Sequence, residues 1–352
     1  MLIVILMAVG LWLLGRFMGT PVQARLIMIA LLYVAVLFLQ FALAPGHPLR
    51  EQLGGGPAPW LILGAVGLAV LAYWRLLGRV RGRAATLEAA RDAGDGRAAQ
   101  DGPFSDVELE RYARHITLRE IGGLGQRRLK EARVLVVGAG GLGSPVLLYL
   151  AAAGVGTLGV VDDDAVDLSN LQRQVIHTDA RGGMPKVFSA QAAVAALNPH
   201  VAVRPYHRRL TEDIAEAMVA DYDLIVDGSD SFDTRDVVNR AAVASGRPVI
   251  GGAITQWEGQ VTVYDPAGGA PCMACLFPRA PRPGQAPTCA EAGVVGALPG
   301  LIGSLMALEA IKEITGAGTP LRGRLLIWDA LDAETRTVRV KRRADCAVCG
   351  DI

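Results

Sequence analysis

The sequence predicts an α/β protein: a mostly parallel sheet with flanking helices, preceded by an N-terminal helical region that spans a membrane. Three observations predict it. Residues 133–153 run from a β-branched apolar strand through a glycine-rich turn into a helix. A second apolar strand, 157–161, follows at once and ends on an acid. The first 74 residues carry only four charged side chains, Arg16, Arg25, Arg50 and Glu51.

The N-terminal region comes first. Its apolar stretches are Met1–Leu14, Leu26–Ala44 and Trp60–Trp74. The second has spanning length, with Gln40 as its one strongly polar residue. The third reaches that length with Pro57–Pro59 and Leu76–Leu77 included. The first lacks a basic leader and a small-residue cleavage site, so it reads as a span rather than a signal peptide. Arg16 and Arg25 lie between the first two stretches, and Arg75, Arg79, Arg81 and Arg83 follow the third. Three spans with the N-terminus outside put both basic segments inside. This predicts a cytoplasmic (inner) membrane protein whose large domain lies in the cytoplasm. Residues 1–83 form the membrane region and 84–103 an Ala-, Gly- and charge-rich linker. The net charge of +1 excludes nucleic-acid binding driven by bulk charge.

The large domain begins near residue 104. Arg133–Val137 reads as a buried parallel strand, and GAGGLG at 138–143 leads into a helix over Leu142–Ala153. This makes Gly138, Gly140, Gly141 and Gly143 a candidate phosphate loop. Glycines let backbone N–H groups approach an anion, and the helix N-terminus favours negative charge. Asp162, closing the strand Thr157–Val161, is placed to accept hydrogen bonds from ribose hydroxyls. These features suit a Rossmann-like nucleotide site. They fit an NAD enzyme and an ATP enzyme equally, and a tight turn without ligand is the structural alternative.

The next segment separates the two nucleotides. Ser169–Gln174 (SNLQRQ) supplies Asn170 and Arg173, and Lys186 follows. Hydride transfer needs no such cluster of cations. Cleavage of ATP between its α- and β-phosphates does, because charge builds on the α-phosphate and the departing pyrophosphate. The alternative is a solvated charged loop. Asp223–Asp227 reads as another buried strand leading to Asp230, which sits where open α/β sheets bind ligands. Asp230 is a candidate Mg²⁺ ligand, or the cap of the next helix. Arg235 is placed to pair with Asp230 or to meet a substrate carboxylate.

All five cysteines lie at or beyond residue 272. Cys272 and Cys275 form one CxxC pair, Cys346 and Cys349 the other. Two such pairs predict a closed tetrahedral Zn²⁺ site; redox use of one pair is the alternative. Cys289 lies in a Pro-rich loop and is open to a covalent role or a buried structural one. His115, His177 and His200 read as structural or surface residues, and no catalytic histidine is expected.

Taken together, these motifs resemble the MoeB/ThiF/HesA family of adenylating enzymes, bacterial relatives of ubiquitin-activating enzymes. The resemblance covers about residues 104–352. It rests on RYARHI at 111–116, GAGGLG, AGVG at 153–156, DDD at 162–164, SNLQRQ, Lys186, Asp230, EGQVTV at 258–263, both CxxC pairs and TCAEAGV at 288–294. Within the family the chain looks most like the molybdopterin-synthase adenylyltransferase (MoeB) branch.

The resemblance implies that ATP is the cosubstrate. The glycine loop, Asp162, Ser169, Asn170, Gln174 and Ser231 would contact it, with Arg173, Lys186 and Asp230 at the triphosphate. It implies a homodimer in which Arg114 reaches into the partner's site. The substrate would be the Gly-Gly tail of a small β-grasp sulfur carrier, MoaD- or ThiS-like, activated ahead of thiocarboxylate formation. Some family members use the cysteine at the position of Cys289 covalently. Ser231 departs from the usual asparagine, and the N-terminal spans are outside the family pattern. No rhodanese-like domain follows Cys349, so a separate sulfur donor, a cysteine desulfurase or rhodanese, is expected. Competing functions are thiamine-pathway activation, a tRNA-modifying adenylating enzyme, a non-catalytic membrane platform for a ubiquitin-like partner, and an NAD oxidoreductase.

Overall fold

The computed structural model describes residues 2–54, 56–65, 67, 73, 103–280 and 293–352. It divides into two compact units, Met1–Ala99 and Gln100–Ile352.

In the first unit, helices run over Leu2–Phe17 and Val22–Ala42, followed by a short helix at Pro48–Gln52 and helical residues at 58–65. Gly19 turns the chain between the first two at φ +69°, ahead of Pro21. Arg16 and Arg25, expected between the helices, lie inside them. The Arg25 guanidinium stands 5.0 Å over the Trp12 ring, and its Nε donates to the Thr20 carbonyl. Among the described residues one helix, Gln23–Ala42, is long and apolar enough to cross a bilayer. The first, at 16 residues, falls short of the roughly 20 that a span needs. Gln40 is buried and donates to the Arg50 carbonyl at 3.3 Å. Trp60 donates to Leu53 O, and the Tyr33 hydroxyl donates to Trp60 O. Most of the third apolar stretch beyond residue 65, Arg75–Arg83 and nearly all of the expected linker lie outside the described residues.

The second unit opens with an anchor. Ser105 caps helix Asp106–Ile116 through a reciprocal capping box with Glu108. Lys130 Nζ donates to the Pro103 carbonyl and to Glu108, while lying 5.0 Å over the Phe104 ring. Lys130 sits at the end of helix Gly122–Glu131, three residues before β1, so the chain enters at the amino edge of the sheet.

The sheet has eight strands in the order β3-β2-β1-β4-β5-β6-β7-β8. β1 (Arg133–Val137), β2 (Thr157–Val161), β3 (Ala202–Tyr206), β4 (Leu224–Asp227) and β5 (Val249–Ile254) are mutually parallel. β6 (Glu258–Tyr264), β7 (Arg324–Asp329) and β8 (Glu334–Arg339) continue it antiparallel. The predicted mostly parallel α/β sheet is therefore present.

β1, β2 and β4 read as unbroken apolar runs because helices cover both faces. One core packs Gly143–Ala153, Lys186–Leu197 and Ala297–Thr315 against one face. A second packs Glu212–Ala220 and Phe232–Ala244 against the other. The strand order reverses between β1 and β4, which opens a crevice at their carboxyl ends.

Candidate active site

A cleft of about 350 Å³ fills that crevice. The turns after β1 and β4 form its two shoulders. Gly138 has φ +90°, a conformation that glycine adopts without strain. A Cβ on Gly143 would stand 1.9 Å from the Gly138 carbonyl oxygen, so the tight turn requires glycine there too.

The turn is held from several directions. Gly138 N–H donates to Val161 O, and Ala139 N–H to Asp162 Oδ2 at 2.8 Å. Ser144 closes the Gly140 carbonyl with both its N–H and its hydroxyl. The N–H groups of Gly140, Gly141, Leu142 and Gly143 have no protein acceptor among the described residues. Four unpaired donors at a helix N-terminus form an anion cradle.

Asp162 bonds a second N–H as well. Its second oxygen accepts from Asp164 N–H at 2.8 Å. Burial raises its carboxyl above the usual range, opposed by these two N–H groups and by Lys186. Lys186 is buried at the start of its helix, with Nζ 2.7 Å from Asp164 Oδ2. An isolated antiparallel bridge between Ala165 and Pro185 brings the two together across 22 residues. Arg173 lines the cleft and donates from Nη2 to Asn170 Oδ1 at 2.7 Å.

On the opposite shoulder, Asp230 lines the cleft with its carboxylate free of protein partners among the described residues. The helix cap is not Asp230 but Ser231, whose hydroxyl accepts from Thr234 N–H. Arg235 does not pair with Asp230; its Nε and Nη2 both donate to the Ser229 carbonyl. Asp227 beneath is fully buried, and burial pushes its carboxyl up despite nearby Arg235 and a bond from Ser229 N–H.

Of the predicted residues, the cleft wall gathers Gly138, Gly140, Gly141, Asp162, Arg173, Gln174, Lys186, Asp230 and Ser231. Gln174 is buried with its Oε1 unpartnered. Gly143, Ser169 and Asn170 stand off the wall: Gly143 serves the turn, Ser169 bonds Asp167, and Asn170 orients Arg173. Arg114 is exposed on helix Asp106–Ile116, away from its own cleft wall. Cys289 lies outside the described residues. Arg208 and Arg209 were not singled out from sequence, and Asp164 only within the DDD run at 162–164, yet all three line the cleft. Arg209 pairs with Asp163 at 3.3 Å.

The four remaining cysteines are buried, free of disulfides and gathered in one cluster. Their Sγ atoms lie within 4.8 Å of one another, with near pairs at 3.5, 3.6 and 3.9 Å. A Zn–S bond of about 2.3 Å gives a tetrahedral edge of about 3.8 Å, so the residues fit zinc. Burial pushes the Cys272 thiol far above its ordinary value. Cys346 feels burial too, but bonds from the N–H groups of Val348 and Cys349 and from Cys272 and Cys275 together outweigh it and bring the thiol to about 7.

Comparison with known proteins agrees with this geometry. The model of the ThiF family matches residues 112–348. A protein of Thermus thermophilus named sulfur carrier protein adenylyltransferase is 53% identical over 252 residues, covering 70% of this chain and 93% of its own. The SAMP-activating enzyme E1 of Haloferax volcanii is 50% identical over 245 residues, covering 70% and 90%. Adenylyltransferase and sulfurtransferase MOCS3 of Bos taurus is 49% identical over 249 residues; the match spans 70% of this chain and about half, 54%, of that longer protein. Among solved structures, Escherichia coli MccB with MccA-N7isoASN superposes with a TM-score of 0.62 at 23% identity, covering 68% of this chain and 75% of that one, a likeness of fold. With the motifs, the sheet order and the cleft in agreement, the chain belongs to the ThiF family.

Proposed function

We propose that this chain is an ATP-dependent adenylyltransferase that activates the C-terminal glycine of a small ubiquitin-like sulfur carrier. One observation carries the reading: the unpaired N–H groups of the glycine turn, Arg173, Lys186 and the free Asp230 carboxylate converge on a single cleft at the sheet's switch point. The names of the Thermus and Haloferax relatives point to the same substrate class.

In the reaction, a carboxylate oxygen of the carrier attacks the α-phosphorus of ATP. The bond from that phosphorus to the bridging oxygen breaks, leaving an acyl-adenylate and pyrophosphate. Both reactants are anions, so positioning and charge neutralisation supply the catalysis and no acid–base pair is needed. The glycine-turn amides and Lys186 hold phosphate oxygens, Arg173 spreads charge over the departing pyrophosphate, and Asp162 orients the ribose while bracing the turn. Asp230 would hold Mg²⁺, which adds charge neutralisation at the phosphates. The four cysteines would hold Zn²⁺ and tie the chain end to the domain.

A separate sulfur donor then displaces AMP to give the thiocarboxylate. The family's dimer supports an Arg114 that serves the partner's cleft, consistent with its exposure away from its own. The apolar Gln23–Ala42 helix supports anchorage in the inner membrane, with the catalytic domain in the cytoplasm. A MoaD-like carrier, and so molybdopterin synthesis, is the favoured pathway over a ThiS-like one.

The test is ATP–pyrophosphate exchange by the full chain in detergent, with MoaD-like and ThiS-like carriers offered separately. Exchange with one carrier names the pathway. Carrier binding without exchange points instead to a non-catalytic platform.

A further inference from the structure

His177 is buried beneath the phosphate turn, and both ring nitrogens are engaged. Nε2 lies 2.9 Å from the Ala139 carbonyl oxygen, which can only accept, so this nitrogen carries the proton. Nδ1 then accepts from the Ser189 hydroxyl, also at 2.9 Å. Ser189 is fully buried on helix Lys186–Leu197, one turn from Lys186 itself. Burial, with Lys186 and Arg181 as cationic neighbours, keeps the ring below its ordinary pKa and so neutral.

The consequence lies in the Ala139 peptide. Its N–H is taken by Asp162 and its carbonyl by His177, so the peptide plane is fixed from both sides. Gly143 N–H, at the first position of its helix, is unpaired among the described residues, beside those of Gly140 and Gly141.

We infer that His177 is a positioning residue for nucleotide binding: it locks the phosphate turn and the helix bearing Lys186 into one unit and keeps the turn's N–H groups directed at the phosphates. The inference rests on the adenylating role proposed above.

The test uses the full chain and three variants: His177→Gln, His177→Asn and His177→Leu. Gln places an amide N–H near Nε2 and can still reach Ala139. Asn places its amide near Nδ1 and reaches only toward Ser189. Leu fills space and bonds neither. ATP affinity is read by calorimetry without carrier, and folding by thermal melting. Folded H177N and H177L bind ATP about tenfold or more weakly, because a buried carbonyl loses its donor and the turn relaxes. H177Q recovers to within about threefold of wild type. In pyrophosphate exchange the KM for ATP follows the same order, while kcat at saturating ATP moves less. Where H177L does not fold, the contrast between H177Q and H177N decides. Equal ATP affinity in all folded variants, or lowered melting with no recovery by Gln, overturns the inference. A wild-type chain that binds no ATP overturns the adenylating role itself, and the inference with it.

Discussion

Replacing Lys186 with methionine removes a charge from the cleft and keeps the aliphatic stem. The structure allows the effects on stability and on rate to be separated. Lys186's side chain is 6% exposed and its partner Asp164's is 68% exposed, with 2.7 Å between Nζ and Oδ2. When the ammonium is lost, Asp164 turns to water and is not stranded as a buried charge. The stability cost is then that of a surface-type pair, about 1 kcal/mol or less, rather than the roughly 3–5 kcal/mol of breaking a buried pair. The rate cost is larger. A donor aimed at developing phosphate charge is worth about 2.7–4 kcal/mol, or about 10² to 10³ in kcat. The assay is ATP–pyrophosphate exchange with a responsive carrier, with melting followed in parallel. Lys186→Met should melt within a few degrees of wild type and exchange at least a hundredfold more slowly. Lys186→Arg, which keeps the charge but alters its geometry, should fall between. Exchange within threefold of wild type by Lys186→Met would refute the assignment of Lys186 to the phosphates.

Three further outcomes are expected. Asp230→Ala should lose exchange by about a hundredfold or more and should not recover at high Mg²⁺, since its carboxylate is the free one in the cleft; full recovery at raised Mg²⁺ would show that it acts only through weak metal affinity. Cys346→Ser should release bound zinc, measured by atomic absorption, and lower the melting temperature of the catalytic unit, because the cluster joins Cys272–Cys275 to the chain end; unchanged metal content would remove the four-cysteine site. At Glu108, burial raises the carboxyl pKa, but bonds from Lys130 and Ser105 outweigh it and the net shift is downward. Its stabilising effect is therefore present above the unfolded value near 4.5 and is lost as pH falls through the folded value. The melting difference between wild type and Glu108→Gln should shrink as pH drops from about 6 to about 3, and a difference that grows would reverse the sign of this coupling.

The parallel half of the fold was legible because its signals are local. Arg133–Val137 and Thr157–Val161 are strands with the predicted bounds, since an apolar β-branched run covered on both faces leaves no other reading. The phosphate turn was legible for the same reason: strand, glycines and helix are contiguous. The ion pair of Asp164 and Lys186 was not, because it depends on an isolated bridge between segments that share no periodicity. His177 looked like an ordinary structural histidine, and nothing in sequence says that its Nε2 meets the Ala139 carbonyl. The alternative reading of Asp230 as a helix cap falls one residue early: Asp230 and Ser231 are both good caps, and only backbone geometry selects Ser231. Ser169 belongs to the SNLQRQ motif, yet it turns to Asp167 two residues back, a local preference that competes with any ligand.

The anchor around Pro103 has a mechanical meaning. Lys130 grips the incoming chain at the amino edge of β1, and the cleft opens at the carboxyl edge of the same strand. Pro103, Phe104 and Glu108 are thus tied through Lys130 to the base of the central strand. The glycine turn lies at the other end of that strand, so loosening this anchor, as Lys130→Met would, should lower stability while leaving the cleft's geometry in place.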